Sequence, residues 1–236
     1  MLLYYYLELL MNSPIAFLVF AGAFACSLLT ALILHEVAHG LVALLRGDQT
    51  AMLLGRLTLN PRAHWDPVGT TMMFILGFGW AKPVPVDWRN FLNPRRDMMY
   101  VAIAGPLSNL TLAVACSFFI RIIEPHDSWV LFTLLSFGVY INVALAIFNL
   151  LPIFPLDGSS VIKGLVPISV AARLGDMDRY GAFLLMGVIL MDHFAHTGIL
   201  GVVLWVPIIT AVQFLSQDAF PDLYNVLRIS FSTISG

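Results

Sequence analysis

His35, Glu36 and His39 stand in the stretch LTALILHEVAHGLVALLR (29–46), two imidazoles and a carboxylate inside an apolar run. On an α-helix, positions four apart differ by about 40° around the axis and by one turn in height, so both histidines can reach one metal ion. Glu36 falls on the neighbouring face, within reach of a water on that ion but badly placed as a third ligand. This is the H-E-x-x-H pattern of zinc hydrolases, with the histidines as ligands and the glutamate as general base. The competing reading is a pair of packing histidines beside a snorkelling glutamate. It is weakened by the setting, because an ionisable group at the centre of a membrane helix costs about 2.5–3.5 kcal/mol on insertion scales and is retained there for function.

A hydrolytic zinc site needs a third protein ligand and one open position, and that ligand must lie at the same depth. Charge-free runs predict membrane spans over residues 14–34, 98–120, 128–156, 180–191 and 197–216, the fourth being short for a crossing. The helix of the first continues to Gly47, and that of the third ends near Asn149 or Leu150, because Pro152 and Pro155 cannot continue it. The third span closes on FNLLPIFPLDGSS, where Asp157 is the single acid. Broken backbone at membrane depth is tolerated where it lines a cavity, and Gly158 permits a tight turn. Asp157 is therefore the candidate third ligand, its alternative an ordinary helix-ending Asp-Gly turn.

Composition sets the class. Of 236 residues, 59% are hydrophobic and 11% charged, with mean hydropathy +0.87; soluble domains carry roughly 25% charged residues. The chain reads as an integral membrane protein in a lipid bilayer. A net charge of −2, without a basic patch beyond membrane-flanking arginines, points to no nucleic-acid partner. Cys26 and Cys116 lie in apolar runs and read as buried thiols. Seven basic residues fall between Arg46 and Arg96, against Arg121 alone between the second and third spans. The positive-inside rule then puts the long loop, and with it the HEVAHG end of the first helix, in the cytoplasm.

Residues 67–81, PVGTTMMFILGFGWA, are apolar but too short and glycine-rich to span. The alternation in WAKPVPV suggests an edge strand, since proline is confined to edges. Residues 67–88 are therefore expected to form a hairpin-like loop dipping into the membrane. The expected fold is an all-α polytopic membrane protein, with about five transmembrane helices around a three-helix catalytic core and a short membrane-dipping β-hairpin. One integral-membrane domain covers 1–236, with the core at about 14–165 and C-terminal helices at about 180–216. The tail DAFPDLYNVLRISF suits a short amphipathic helix.

HEVAHG, AGPLSN (104–109), NLLPIFPLDG (149–158) and GFGWAKPVPVD (77–87) together resemble the site-2 protease family of intramembrane metalloproteases. The resemblance covers about residues 30–165 in the right order. It is to the compact bacterial and archaeal type, without PDZ insert or C-terminal regulatory domain. It implies one zinc ion per chain on His35, His39 and Asp157, with Glu36 as the base. It makes Asn149 a substrate or transition-state contact, although an asparagine at a broken helix end can equally cap carbonyls. Gly105, Pro106 and Asn109 match an element that shapes helix packing beside the site. The implied activity is an intramembrane zinc endopeptidase cutting within or beside the spans of single-span membrane proteins, as in regulated intramembrane proteolysis. The implied location is the plasma (inner) membrane, with the site near the cytoplasmic side.

Two other readings compete. A catalytically silent scaffold of the same fold has no need of Glu36, and a metal transporter expects ligands along a route across the membrane. Of the remaining polar residues, His64 reads as a turn contact and His126 as solvated. Asp192, His193 and His196 read as an interfacial cluster rather than an accessory metal site.

Overall fold

A computed structural model of the chain describes residues 13–76, 79–123, 128–195 and 197–231. Most of the described residues are helical, with no strand among them. In order these are α1 (Pro14–Leu45), α2 (Thr50–Leu53), α3 (Pro61–His64), α4 (Pro67–Leu76), a 3-10 turn (Trp88–Asn90), α5 (Pro94–Ile120), α6 (Trp129–Asn149), α7 (Asp157–Leu165) and α8 (Ile168–Ala195). A π-helical turn (Gly201–Trp205), α9 (Val206–Ser216), a 3-10 turn (Gln217–Ala219) and α10 (Phe220–Phe231) follow.

Four helical stretches are long and apolar enough to cross a membrane: Pro14–Leu45, Pro94–Ile120, Trp129–Asn149 and Gly201–Leu227. The first three correspond to the expected core helices, and α6 stops at Asn149, ahead of the prolines. The fourth expected span is different. Residues 180–191 are the apolar half of α8, whose other half carries Arg173, Asp176, Asp178 and Arg179, and α8 is not among the four. The fifth expected span, 197–216, gives way to a stretch running on to Leu227.

The expected β-hairpin over 67–88 is also different. Its first arm is helix α4, begun by Asp66 as N-cap, whose Oδ1 accepts the Gly69 N–H at 2.8 Å, and by Pro67 at the first helical position. Gly77 and Phe78 lie outside the described residues. The second arm, from Gly79 to Asp87, is non-helical without a ladder, and it folds back along α4. A Cβ on Gly79 would lie 2.7 Å from Met73 Cβ, and one on Gly69 would overlap the Trp80 carbonyl.

The chain divides into two compact units: residues 1–31, 110–144 and 206–236, and residues 32–109 and 145–205. In the first, Phe137 meets Phe20 and Phe24 edge-on, with centroids 6.4 and 5.8 Å apart. Its buried hydroxyls return to backbone carbonyls, Ser136 to Phe132 at 2.8 Å and Ser117 to Leu215, as polar groups inside an apolar bundle must. Both cysteines are free; Cys26 is exposed rather than buried, because its position on α1 faces away from the packed side.

The second unit holds the chemistry. Ala43, Phe91 and Val101 form a small core that Val42, Val86 and Met98 pack against. Below the end of α1, buried Asp48 accepts four hydrogen bonds: from the Thr50 N–H and hydroxyl, from Asn90 Nδ2 at 2.7 Å, and from the Asp87 N–H at 2.8 Å. Arg46 pairs with Asp97 at 3.2 Å and lies over the Tyr100 ring.

Candidate metal centre

His35 and His39 project from α1 and are both buried. Their Nε2 atoms stand 3.0 Å apart. Asp157, the first residue of α7, brings Oδ2 to 3.2 Å from His35 Nε2 and 3.3 Å from His39 Nε2. Among the described residues this is the one group of three or more metal-binding side chains whose ligand atoms converge.

The rear nitrogens fix which atoms face inward. His39 Nδ1 lies 2.7 Å from the Val101 carbonyl oxygen, which can only accept, so Nδ1 carries a proton and in the neutral ring Nε2 presents its lone pair. His35 Nδ1 is 2.7 Å from Asn109 Oδ1, with the same consequence. Two lone pairs and a carboxylate oxygen then meet at one point, and Asp157 Oδ2 is buried without a hydrogen-bond donor. Such a cluster is satisfied by a shared cation or by a proton on an imidazole. A tetrahedral zinc site with bonds of about 2.0–2.1 Å has ligand–ligand edges of about 3.3–3.4 Å, and the observed 3.0–3.3 Å separations fit that size. The donor set, two imidazoles and one carboxylate, is of hydrolytic zinc type.

Three close approaches hold the geometry. A Cβ on Gly105 would lie 2.6 Å from Cε1 of both histidines, so α5 can pass the rings only as glycine. Gly158 is helical and has no positive φ. It is needed because the backbone of Leu150 and Leu151 crosses where its side chain would be, rather than for a tight turn. Gly40, one turn after Glu36, leaves room for Leu57 and Val84, whose Cγ1 would be 3.0 Å from an added Cβ. Glu36 itself accepts the Val84 backbone N–H on Oε2 at 2.7 Å.

Comparison with known proteins gives the family. Residues 119–191 match peptidase family M50. YwhC of Bacillus subtilis, named as a proposed zinc metalloprotease, is 41% identical over 162 residues, covering 66% of this chain and 74% of that protein. The chain belongs to peptidase family M50. Rip2 of Mycobacterium tuberculosis and MJ0611 of Methanocaldococcus jannaschii, both also named as proposed zinc metalloproteases, are each 31% identical. The Rip2 match spans 62% of this chain and 59% of the relative, and the MJ0611 match 56% and 64%. No solved structure matches significantly. With four candidate spans, this M50 peptidase is a multi-pass membrane protein in a lipid environment.

Other residues marked in the sequence fall variously in this M50 chain. Asn149 donates its side-chain amide to the Leu145 carbonyl at 3.0 Å, one turn back along α6, as a capping residue does. Asn109, expected to shape packing, contacts His35 directly. His64 is buried against the Thr58 carbonyl at 2.8 Å. Exposed Asp192 accepts the Thr197 hydroxyl at 2.7 Å, while His126 and His196 lie outside the described residues. The Val101 carbonyl and Val84 N–H have no signature in the sequence, since backbone groups belong to every residue type. The proline on either side of Val84 was the available signal.

Proposed function

We propose that this M50 zinc metallopeptidase is an intramembrane endopeptidase, hydrolysing peptide bonds within or beside the spans of single-span membrane proteins, as in regulated intramembrane proteolysis. Its whole length acts as one peptidase domain, with residues 180–191 as a fifth crossing. It sits in a plasma membrane, with the site near the cytoplasmic face. The observation that carries this reading is a zinc-type cluster whose two histidines belong to a helix apolar and long enough to cross a membrane. A transporter would spread its ligands along a route, whereas among the described residues they gather at one point.

His35, His39 and Asp157 would hold one zinc ion. Bound there, zinc supplies Lewis acidity, activating water and polarising a carbonyl. Glu36 accepts the proton of the attacking water and delivers it to the leaving amine nitrogen. Asn109 and the Val101 carbonyl keep both imidazoles in the tautomer that presents Nε2. Asn149 turns from Leu145 to the developing oxyanion; Asn149→Ala should lower kcat/KM at unchanged zinc content, and an unchanged kcat/KM removes it from the site.

A transmembrane helix hides its peptide bonds in its own hydrogen bonds, so the substrate must unwind locally. The extended arm at residues 80–87 offers it an edge to pair with. The test is cleavage of a panel of single-span proteins co-reconstituted in liposomes with wild type or Glu36→Gln. Wild type should cleave at least one panel member, and Glu36→Gln should keep its zinc and lose roughly 10²–10⁴-fold in rate. Equal rates in the two forms would defeat the reading.

A further inference from the structure

The run Lys82-Pro83-Val84-Pro85-Val86 has an unusual donor pattern. Pro83 and Pro85 have no N–H, so Val84 carries the one backbone donor in those three residues. That donor goes to Glu36 Oε2 at 2.7 Å, the short end of the range for a bond to a carboxylate.

The rest of the segment is fastened along the chain. The Lys82 N–H donates to the His64 carbonyl at 2.8 Å, and Arg56 Nη2 donates to the Lys82 and Pro83 carbonyls at 2.9 and 3.1 Å. The Asp87 N–H is held by Asp48 at 2.8 Å. Val84 is buried, against the space that Gly40 leaves open. The strap is thus pinned near both ends, and its middle pin is the carboxylate that the proposed reaction uses as a base.

We propose that the Val84 peptide N–H is a positioning group for Glu36, holding Oε2 so that Oε1 is the oxygen that exchanges protons with the attacking water. This rests on the endopeptidase reading of Glu36. A carboxylate on a glutamate side chain otherwise samples several rotamers, and a misplacement of about 1 Å can cost 10²-fold in rate. The prolines make the hold rigid and leave no second donor at positions 83–85 to compete for it. The same commitment removes Val84 from any pairing with substrate, so an edge-paired substrate must use the flanks of the strap.

Two measurements on the full-length protein in detergent test this. The first is hydrogen exchange at the Val84 amide in wild type and Glu36→Ala, which needs no turnover. Exchange at Val84 should quicken at least tenfold in the variant while Lys82 stays unchanged; equal rates at Val84 would show that the bond is absent. The second is zinc content and steady-state cleavage of fluorescein-labelled casein, a generic unfolded probe. It compares Val84→Ala, which keeps the N–H, with an ester at position 84 made by incorporating the α-hydroxy analogue of valine. The ester keeps the side chain and removes the N–H, while weakening the Pro83 carbonyl as an acceptor for Arg56 Nη2. The ester form should lose 10- to 100-fold in kcat with zinc and KM unchanged, a loss at least tenfold greater than that of Val84→Ala, which keeps the N–H. An ester form with wild-type kcat, or two variants that lose activity in parallel with thermal stability, would overturn the proposal. Casein left uncut by wild type, with the exchange effect intact, would count against the endopeptidase reading and leave the Val84–Glu36 contact standing.

Discussion

Asp48 and Asp157 are two carboxylates of the same unit, each drawn into the protein against the cost of desolvation, and their surroundings are opposite. Asp48 is ringed by donors, receiving N–H or O–H groups from Thr50, Asp87 and Asn90. Asp157 Oδ2 faces two nitrogen lone pairs and has no donor. A carboxylate whose lone pairs are answered within the chain is an anchor. One set beside two imidazole nitrogens is placed as a ligand of the proposed metal site. Residue type is the same in the two, and Asp48 is the more deeply buried; the sign of the neighbours separates them.

The contrast breaks most readily on zinc content. Asp157→Ala should take the purified protein from near one zinc per chain to little or none, whereas Asp48→Ala should keep its zinc and lose about 2–3 kcal/mol of stability, because buried donors to a charged acceptor are left unmet. Metal analysis beside thermal unfolding of both variants decides it, and zinc retained by Asp157→Ala would end the comparison. Asn109→Ala sharpens it at the next level: freeing His35 Nδ1 should weaken zinc binding about 10- to 100-fold, measurable by competition with a chelator, without abolishing it.

The smallest effect is in acid. Burial raises the Asp48 pKa, but the hydrogen bonds from Thr50, Asn90 and Asp87 more than reverse this and bring it below the ordinary 3.8. A depressed folded pKa means that the stabilisation is fully present above the unfolded value, about 3.9, and is lost as pH falls through the lower folded one. Wild type should therefore lose melting temperature more steeply than Asp48→Ala below about pH 4, and parallel curves would remove Asp48 as an acid-sensitive anchor.

The same contrast explains what could be read in advance. The meeting of His35 and His39 was legible because helical periodicity alone brings i and i+4 together. Asp157 was legible by depth, as the single acid at the broken end of a neighbouring span. What supports them was not. The Val101 carbonyl and Val84 N–H belong to the backbone, and Asn109 reaches His35 from 74 positions away. The α4 helix was missed through its glycines and its length, though Asp66-Pro67 carries the same N-cap and first-turn signature as Ser13-Pro14 at the start of α1. The alternation in WAKPVPV marked extended backbone correctly and strand pairing incorrectly, because two of its residues cannot donate and a third donates to a side chain.

On the proposed ligand set, Asp157 follows His39 by 118 positions in the chain. At synthesis rates of about 5–20 residues per second, the aspartate leaves the ribosome about 6–24 s after the second histidine. During that interval the nascent chain would lack the third of the proposed ligands, and with it any activity that depends on the bound metal.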